Sequence, residues 1–122
     1  MALHQFTGSH VRLFSAYGDG YVAVNGQVYR QSIILSAAGV RTDWEVTEFS
    51  ALTREDFHIL LELKPEILLI GTGAQQHFAR PELFRDLIQA GIGVEFMNTP
   101  AACRTYNILA AEDRNVAAAI LP

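Results

Sequence analysis

Ile67-Leu68-Leu69-Ile70-Gly71-Thr72-Gly73 is the stretch on which the fold turns. Four apolar residues in a row, after Pro65-Glu66 and closed by two glycines, make Glu66–Ile70 read as a short strand buried on both faces. Strands of that kind sit in parallel sheets covered by helices. The residues on either side agree. Downstream, Pro81 fits the first turn of a helix over 81–90, with Leu83, Phe84, Leu87 and Ile88 inward and Gly91 at its C-terminal cap. Gly93–Met97 reads as the next strand. Asn98 or Thr99 caps a third helix over 100–111, whose apolar face is Ala102, Thr105, Tyr106, Leu109 and Ala110. A last strand of small and branched residues covers 116–120. Upstream, Thr53 caps a helix over 54–63, its early acids Glu55 and Asp56 suiting the N-terminal dipole, and Pro65 ends it.

The first half reads as β. Val11–Tyr17 ends at Gly18-Asp19-Gly20, which is turn chemistry. Tyr21–Val24 leads into Asn25-Gly26, the pair that a two-residue hairpin turn of positive φ selects. Gln27–Leu35 reads as the return strand and 42–46, with Trp44 inside it, as a further one. The expectation is an α/β fold in a single domain over 1–122. Its three layers would hold a mixed, largely parallel central sheet, helices packed on it, and an additional N-terminal β-hairpin portion. Leu60, Leu68, Ile70, Leu87, Val94, Phe96, Tyr106 and Leu109 are the expected core.

Composition narrows the function classes. Half of the 122 residues are hydrophobic and 18% are charged, which excludes a disordered chain. The net charge is −4, and one Lys and eight Arg are scattered rather than striped, which argues against nucleic-acid binding. The first basic residue is Arg12, and the residues before it make neither a secretory signal nor a presequence. The longest apolar runs, Ile67–Ile70 and Val116–Leu121, are far short of a membrane span. A cytoplasmic protein is the expectation. Cys103, the sole cysteine, and the four histidines His4, His10, His58 and His77 lack metal-ligand spacing, so neither a metal nor a cofactor is expected.

One further signal is a resemblance. Gly91-Ile92-Gly93-Val94-Glu95-Phe96-Met97-Asn98-Thr99, then Ala101-Ala102-Cys103-Arg104-Thr105-Tyr106-Asn107-Ile108-Leu109, then Glu112 and Val116-Ala117-Ala118-Ala119 are the densest part of it. Leu68-Leu69-Ile70-Gly71-Thr72-Gly73, with Pro81 downstream, fits as well. The chain resembles, from about residue 10 to its end, a small α/β family that includes a mitochondrial complex I assembly factor and an adipogenesis-associated human protein. The resemblance implies a three-layer α/β fold with a mixed sheet and an added β portion. It also implies a protein partner, with no activity assigned.

Several residues invite sharper readings. Gly71-Thr72-Gly73-Ala74-Gln75-Gln76 falls short of a dinucleotide fingerprint, because Gln76 stands at the third glycine position and Pro81 starts the helix late. The glycines serve a tight strand exit, or a loop offering N–H groups to a small anion. A right-handed crossover makes the strands before Gly71 and Asn98 parallel, so the Gly71-Thr72-Gly73 loop and the Asn98-Thr99 turn should lie side by side. The helix N-terminus at Pro100 favours negative charge there, and Arg104, one turn on, adds a cation. His77 follows the same loop. Glu95 in its strand is at a sheet end, paired with an Arg, or a site residue, with pairing the default. Arg104 and Asn107 share a helix face, away from most of the apolar stripe. Cys103 near a helix N-terminus is a nucleophile candidate or a small buried hydrophobe. The ligand-site candidates are therefore Gly71, Thr72, Gly73, His77, Glu95, Asn98, Thr99 and Arg104, with no catalytic residue named. Two functions follow: a non-catalytic binding or assembly-type protein, or a small-molecule, anion-binding enzyme or ligand-binding protein with its pocket at those residues. His77, Glu95 and Arg104 around one pocket would favour the second. A flat apolar patch with Tyr17, Tyr21, Tyr29 or Trp44 would favour the first.

Overall fold

The computed structural model describes residues 11–122. Two sheets organise them. The smaller is an antiparallel meander of β1 (Phe14–Gly18), β2 (Tyr21–Val24) and β3 (Gln27–Tyr29). Asn25 and Gly26 join β2 to β3 at φ of 46° and 88°, the positive values that a tight hairpin requires. The larger sheet contains β4 (Ile33–Ser36), β5 (Gly39–Arg41), β6 (Ile67–Thr72), β7 (Gly93–Met97) and β8 (Val116–Leu121), in the order β5-β4-β8-β6-β7. β8 and β7 flank β6 in parallel, while β4 pairs antiparallel with β8 and with β5. The sheet is thus mixed, its parallel half being the β-α-β-α-β portion.

The helices are α1 (Arg54–His58), α2 (Pro81–Gln89) and α3 (Thr99–Ala111). Thr53 caps α1 in a reciprocal box with Asp56. The helix tightens into a 3-10 turn over Ile59–Leu63 and stops at Lys64, which is left-handed at φ 46°. Arg54 reaches α2 and grips Asp86 through two bonds of 2.8 and 3.1 Å, which holds the Asp86 carboxyl below its usual range.

The large sheet separates two cores. On one face Leu68, Ile70, Phe96, Ala117 and Ala119 meet Trp44, Phe57, Leu60 and Leu87. On the other, Leu35, Leu69, Ala118 and Ile120 meet α3 and the meander through Phe14, Val22, Cys103 and Tyr106. The layers are therefore α1 and α2, the sheet, then α3 with the meander.

Several expectations change in detail. The strand expected over Gln27–Leu35 is two strands, because β3 belongs to the small sheet and β4 to the large one. The strand expected over 42–46 is absent; β5 ends at Arg41, and the following residues join no ladder. Trp44 and Val46 are nonetheless buried, since the segment lies across the core, with Trp44 Nε1 donating to the Asp56 carbonyl at 3.0 Å. Val94 and Leu109 are only half-buried, and Ile88 is exposed. In α3 the buried face is Thr99, Ala102, Cys103, Tyr106 and Asn107. The meander turns that face round, so Asn107 points inward, away from the exposed Arg104.

Candidate functional site

The Gly71–Gly73 exit and the start of α3 do lie against each other. The Thr99 N–H donates to the Gly73 carbonyl at 2.8 Å, and the Gly73 N–H donates to Thr99 Oγ1 at 2.9 Å. The Thr99 hydroxyl in turn donates to the Leu121 carbonyl. Thr99 therefore ties together the end of β6, the end of β8 and the first turn of α3. Gly71 permits this approach: a Cβ there would stand 2.7 Å from Ile120 Cδ1 and 3.0 Å from Thr99 Oγ1. Gly71→Ala is expected to destabilise the fold by about 1–3 kcal/mol, the usual cost of overpacking. A change in urea midpoint checks it.

The same bonds decide what the helix start offers a ligand. Asn98 caps α3, its Oδ1 accepting from the Ala101 N–H at 2.9 Å. The Ala102 N–H is bound by the Asn98 carbonyl, and Pro100 has no N–H. The first-turn donors that an anion would need are thus already committed within the protein.

Two cavities flank the exit. One, of about 360 Å³, lies between the β1–β2 turn (Gly18, Asp19, Gly20) and Gly73, Ala74, Thr99 and Pro100. Tyr17 lines it, and Arg104 donates to the Tyr17 hydroxyl at 2.7 Å with its guanidinium 5.8 Å from the ring centre. The other, also about 360 Å³, holds Thr72, Gly73, Glu48, Phe49 and His77. His77 stacks on Phe49 at 5.5 Å. Glu95 is exposed on β7, the outer strand of the sheet, and lines neither cavity. His77, Glu95 and Arg104 are not gathered around one pocket. Trp44 and Tyr17 are buried, so they do not form the flat patch near the meander either.

Cys103 is fully buried, and burial pushes its thiol up to about 12, so it stays protonated at neutral pH. Native protein should leave Cys103 unlabelled by iodoacetamide at pH 8, and denatured protein should label at once. Rapid native labelling would show that the helix opens. His58 is exposed, 3.4 Å from Asp86. Among the described residues, no His, Cys, Asp and Glu group is placed to hold a metal ion. No helix among them is long and apolar enough to cross a membrane. His4 and His10 lie outside the described residues.

Sequence reasoning missed an aromatic ridge beside the second cavity. Phe96 on β7 is ringed by Phe49, Phe57, Phe78 and Phe84, with centroids 5.2 to 6.3 Å away. Phe78 is 72% exposed. Gln76 Nε2 donates to the Phe96 carbonyl at 2.8 Å, covering one acceptor of the outer strand. The available signal was the pair His77-Phe78 in a polar loop, where an aromatic residue has no packing reason to stand.

Comparison with known proteins gives a consistent result. A protein from Francisella tularensis named "13 kDa major membrane protein" is 34% identical over 109 residues, covering 88% of this chain and 89% of its own. NADH dehydrogenase [ubiquinone] 1 alpha subcomplex assembly factor 3 of Bos taurus is 34% identical over 105 residues, 84% of this chain. This chain spans 56% of that relative's length. A crystal structure from Bordetella parapertussis superposes with a TM-score of 0.88 at 42% identity, covering 94% of this chain and 98% of that one. A solution structure from Bordetella pertussis, described as a Mth938-like domain, gives a TM-score of 0.84 at 35% identity and covers all of this chain and 92% of its own. Residues 14–121 match the model described as "Protein of unknown function (DUF498/DUF598)", and the chain belongs to that family.

Proposed function

We propose that this domain is a non-catalytic binding module of the assembly type, which holds a protein partner on the ridge formed by Phe78, Phe49 and His77. The observation that carries this reading is Phe78, a large ring 72% exposed that meets Phe96 edge-on at 6.2 Å. Exposed aromatic rings are side chains on which interfaces concentrate their energy, because they bury a large area with few rotatable bonds. The assembly-factor names of related proteins support the same direction. The reading places the protein in the cytoplasm, in keeping with its one cysteine being a free thiol.

Affinity purification of the tagged chain from its own host, beside the Phe78→Asp variant, tests this. The expected result is a stoichiometric partner lost from the variant while its thermal midpoint stays within about 2 °C, since Phe78 is mostly solvated. Partners identical in both preparations would remove the ridge from the reading.

Arg104 beside the first cavity favours a second reading, a small-anion site or small-molecule pocket near Gly71, Thr72, Gly73, Asn98 and Thr99, in which the guanidinium rather than the committed N–H groups supplies the attraction. Phosphate, sulfate and acetate titrations of labelled protein separate the two. This second reading expects the amides of Thr72, Gly73 and Thr99 to move first, and Arg104→Ala to weaken that response. Stationary amides at millimolar anion leave the protein-binding reading alone.

A further inference from the structure

The opposite end of the sheet holds a third cavity, of about 340 Å³, between the segment before β1, the β4–β5 turn and the end of α3. Tyr106 lines it and is only 2% exposed, yet its hydroxyl makes no hydrogen bond among the described residues. No buried side-chain nitrogen or oxygen among the described residues lacks a partner, so the ring is buried while its hydroxyl opens into the cavity, free to donate to whatever enters it. Burial pushes its pKa up to about 12, with the charge of nearby Arg12 opposing, so the hydroxyl keeps its proton at neutral pH.

Arg12 lines the same cavity with its guanidinium over the backbone of Gly39, and no carboxylate among the described residues pairs with it. Ser36, 9% exposed, accepts from the Ala38 N–H and has its own proton to give. Two donors and a cation therefore converge on a space whose other walls include Ala110 and Val116. The charge count limits the guest. Asp113 stands on the rim, and Arg114 is already spent on Glu66 through two bonds of 3.2 Å. The end of α3 also faces this side, which disfavours a doubly charged guest. One unpaired guanidinium suits one negative charge.

We propose that this cavity binds a small organic monocarboxylate, its head held by Arg12 and the Tyr106 hydroxyl and its short apolar body lying against Ala110 and Val116. A guanidinium with a neutral hydroxyl donor is a common arrangement for a carboxylate, and mixed polar and apolar walls are typical of small-ligand pockets. The inference stands apart from the protein-binding role, which uses the other end of the molecule.

Titration of the labelled full chain with sodium butanoate, acetate and inorganic phosphate, followed by NMR, is the test. Butanoate is expected to shift the Tyr106 ring and the Ala37 and Val116 amides saturably, with a millimolar Kd, and acetate more weakly. Arg12→Gln, a change at an exposed side chain, should raise the Kd about tenfold, and Tyr106→Phe should also weaken binding, by about threefold or more. The proposal is overturned by no saturable shift up to about 100 mM, by a Kd unchanged in Arg12→Gln, or by phosphate binding in preference to butanoate.

Discussion

Asn107→Ala should lower stability on the order of 2–6 kcal/mol, enough to threaten the fold of a domain this size. Asn107 is 5% exposed and bonds the main chain of β1 twice, its Oδ1 accepting from the Phe14 N–H at 2.9 Å and its Nδ2 donating to the Phe14 carbonyl at 2.8 Å. The side chain thereby does for Phe14 what a neighbouring strand would. Its removal leaves a donor and an acceptor unpaired in a dry place, at about 1–3 kcal/mol each. The Phe14 ring packs edge-on to Tyr106 at 5.5 Å, so the meander loses its fastening to α3 at the same time. Urea unfolding of the variant checks this. A loss under about 1 kcal/mol would mean that water reaches Phe14 and replaces the amide.

Leu87→Ala should cost about 2–5 kcal/mol. Leu87 is fully buried, the only such residue of α2, and it packs between that helix and the sheet. The cavity left behind cannot collapse easily, because aromatic rings and the sheet fix its walls. Leu109→Ala is the control. Leu109 is half-buried at the edge of the second core, so its truncation should cost about 1–2 kcal/mol through lost area alone. Equal losses at the two sites would show that the faces of α2 and α3 are assigned wrongly.

The elements that were legible in the sequence are those whose signal is local. Asn25-Gly26 specifies its turn through backbone φ, and Thr53 and Asn98 cap their helices through side-chain oxygens a few residues from their targets. The run from Ile67 to Ile70 was legible because a strand buried on both faces has few polar positions, whereas the structure carries the strand on through Gly71 and Thr72, which read as its closing turn. The misread segments depend on neighbours far away in the chain. Trp44 and Val46 alternate with Asp43 and Glu45 as in a strand, but alternation reports side-chain burial and not backbone pairing. Asn107 looked like a surface residue because nothing nearby announces that β1, 93 residues earlier, presents its main chain there. The candidate site was legible as a place rather than as a chemistry. The adjacency of Gly73 and Thr99 follows from chain topology, whereas the commitment of their N–H groups to each other depends on a distance of approach that no sequence pattern states.

The position of β8 also bears on how the molecule is made. Among the described strands, Val116–Leu121 is the latest in chain order, yet it stands third of five in the large sheet, between β4 and β6. Ile34 has Ala119 as its partner, and Leu68 has Ala117. During synthesis β6 and β7 can pair and α2 can cover them, while β4 and β5 wait as a separate hairpin with nothing to join. The two halves become one sheet only when the final strand slides between them. Folding therefore completes after synthesis of this segment rather than along with it, with long-range pairings setting its rate. Until then one edge of β4 and one edge of β6 stand open, and unpaired edges of that kind are where a nascent chain is prone to mispairing.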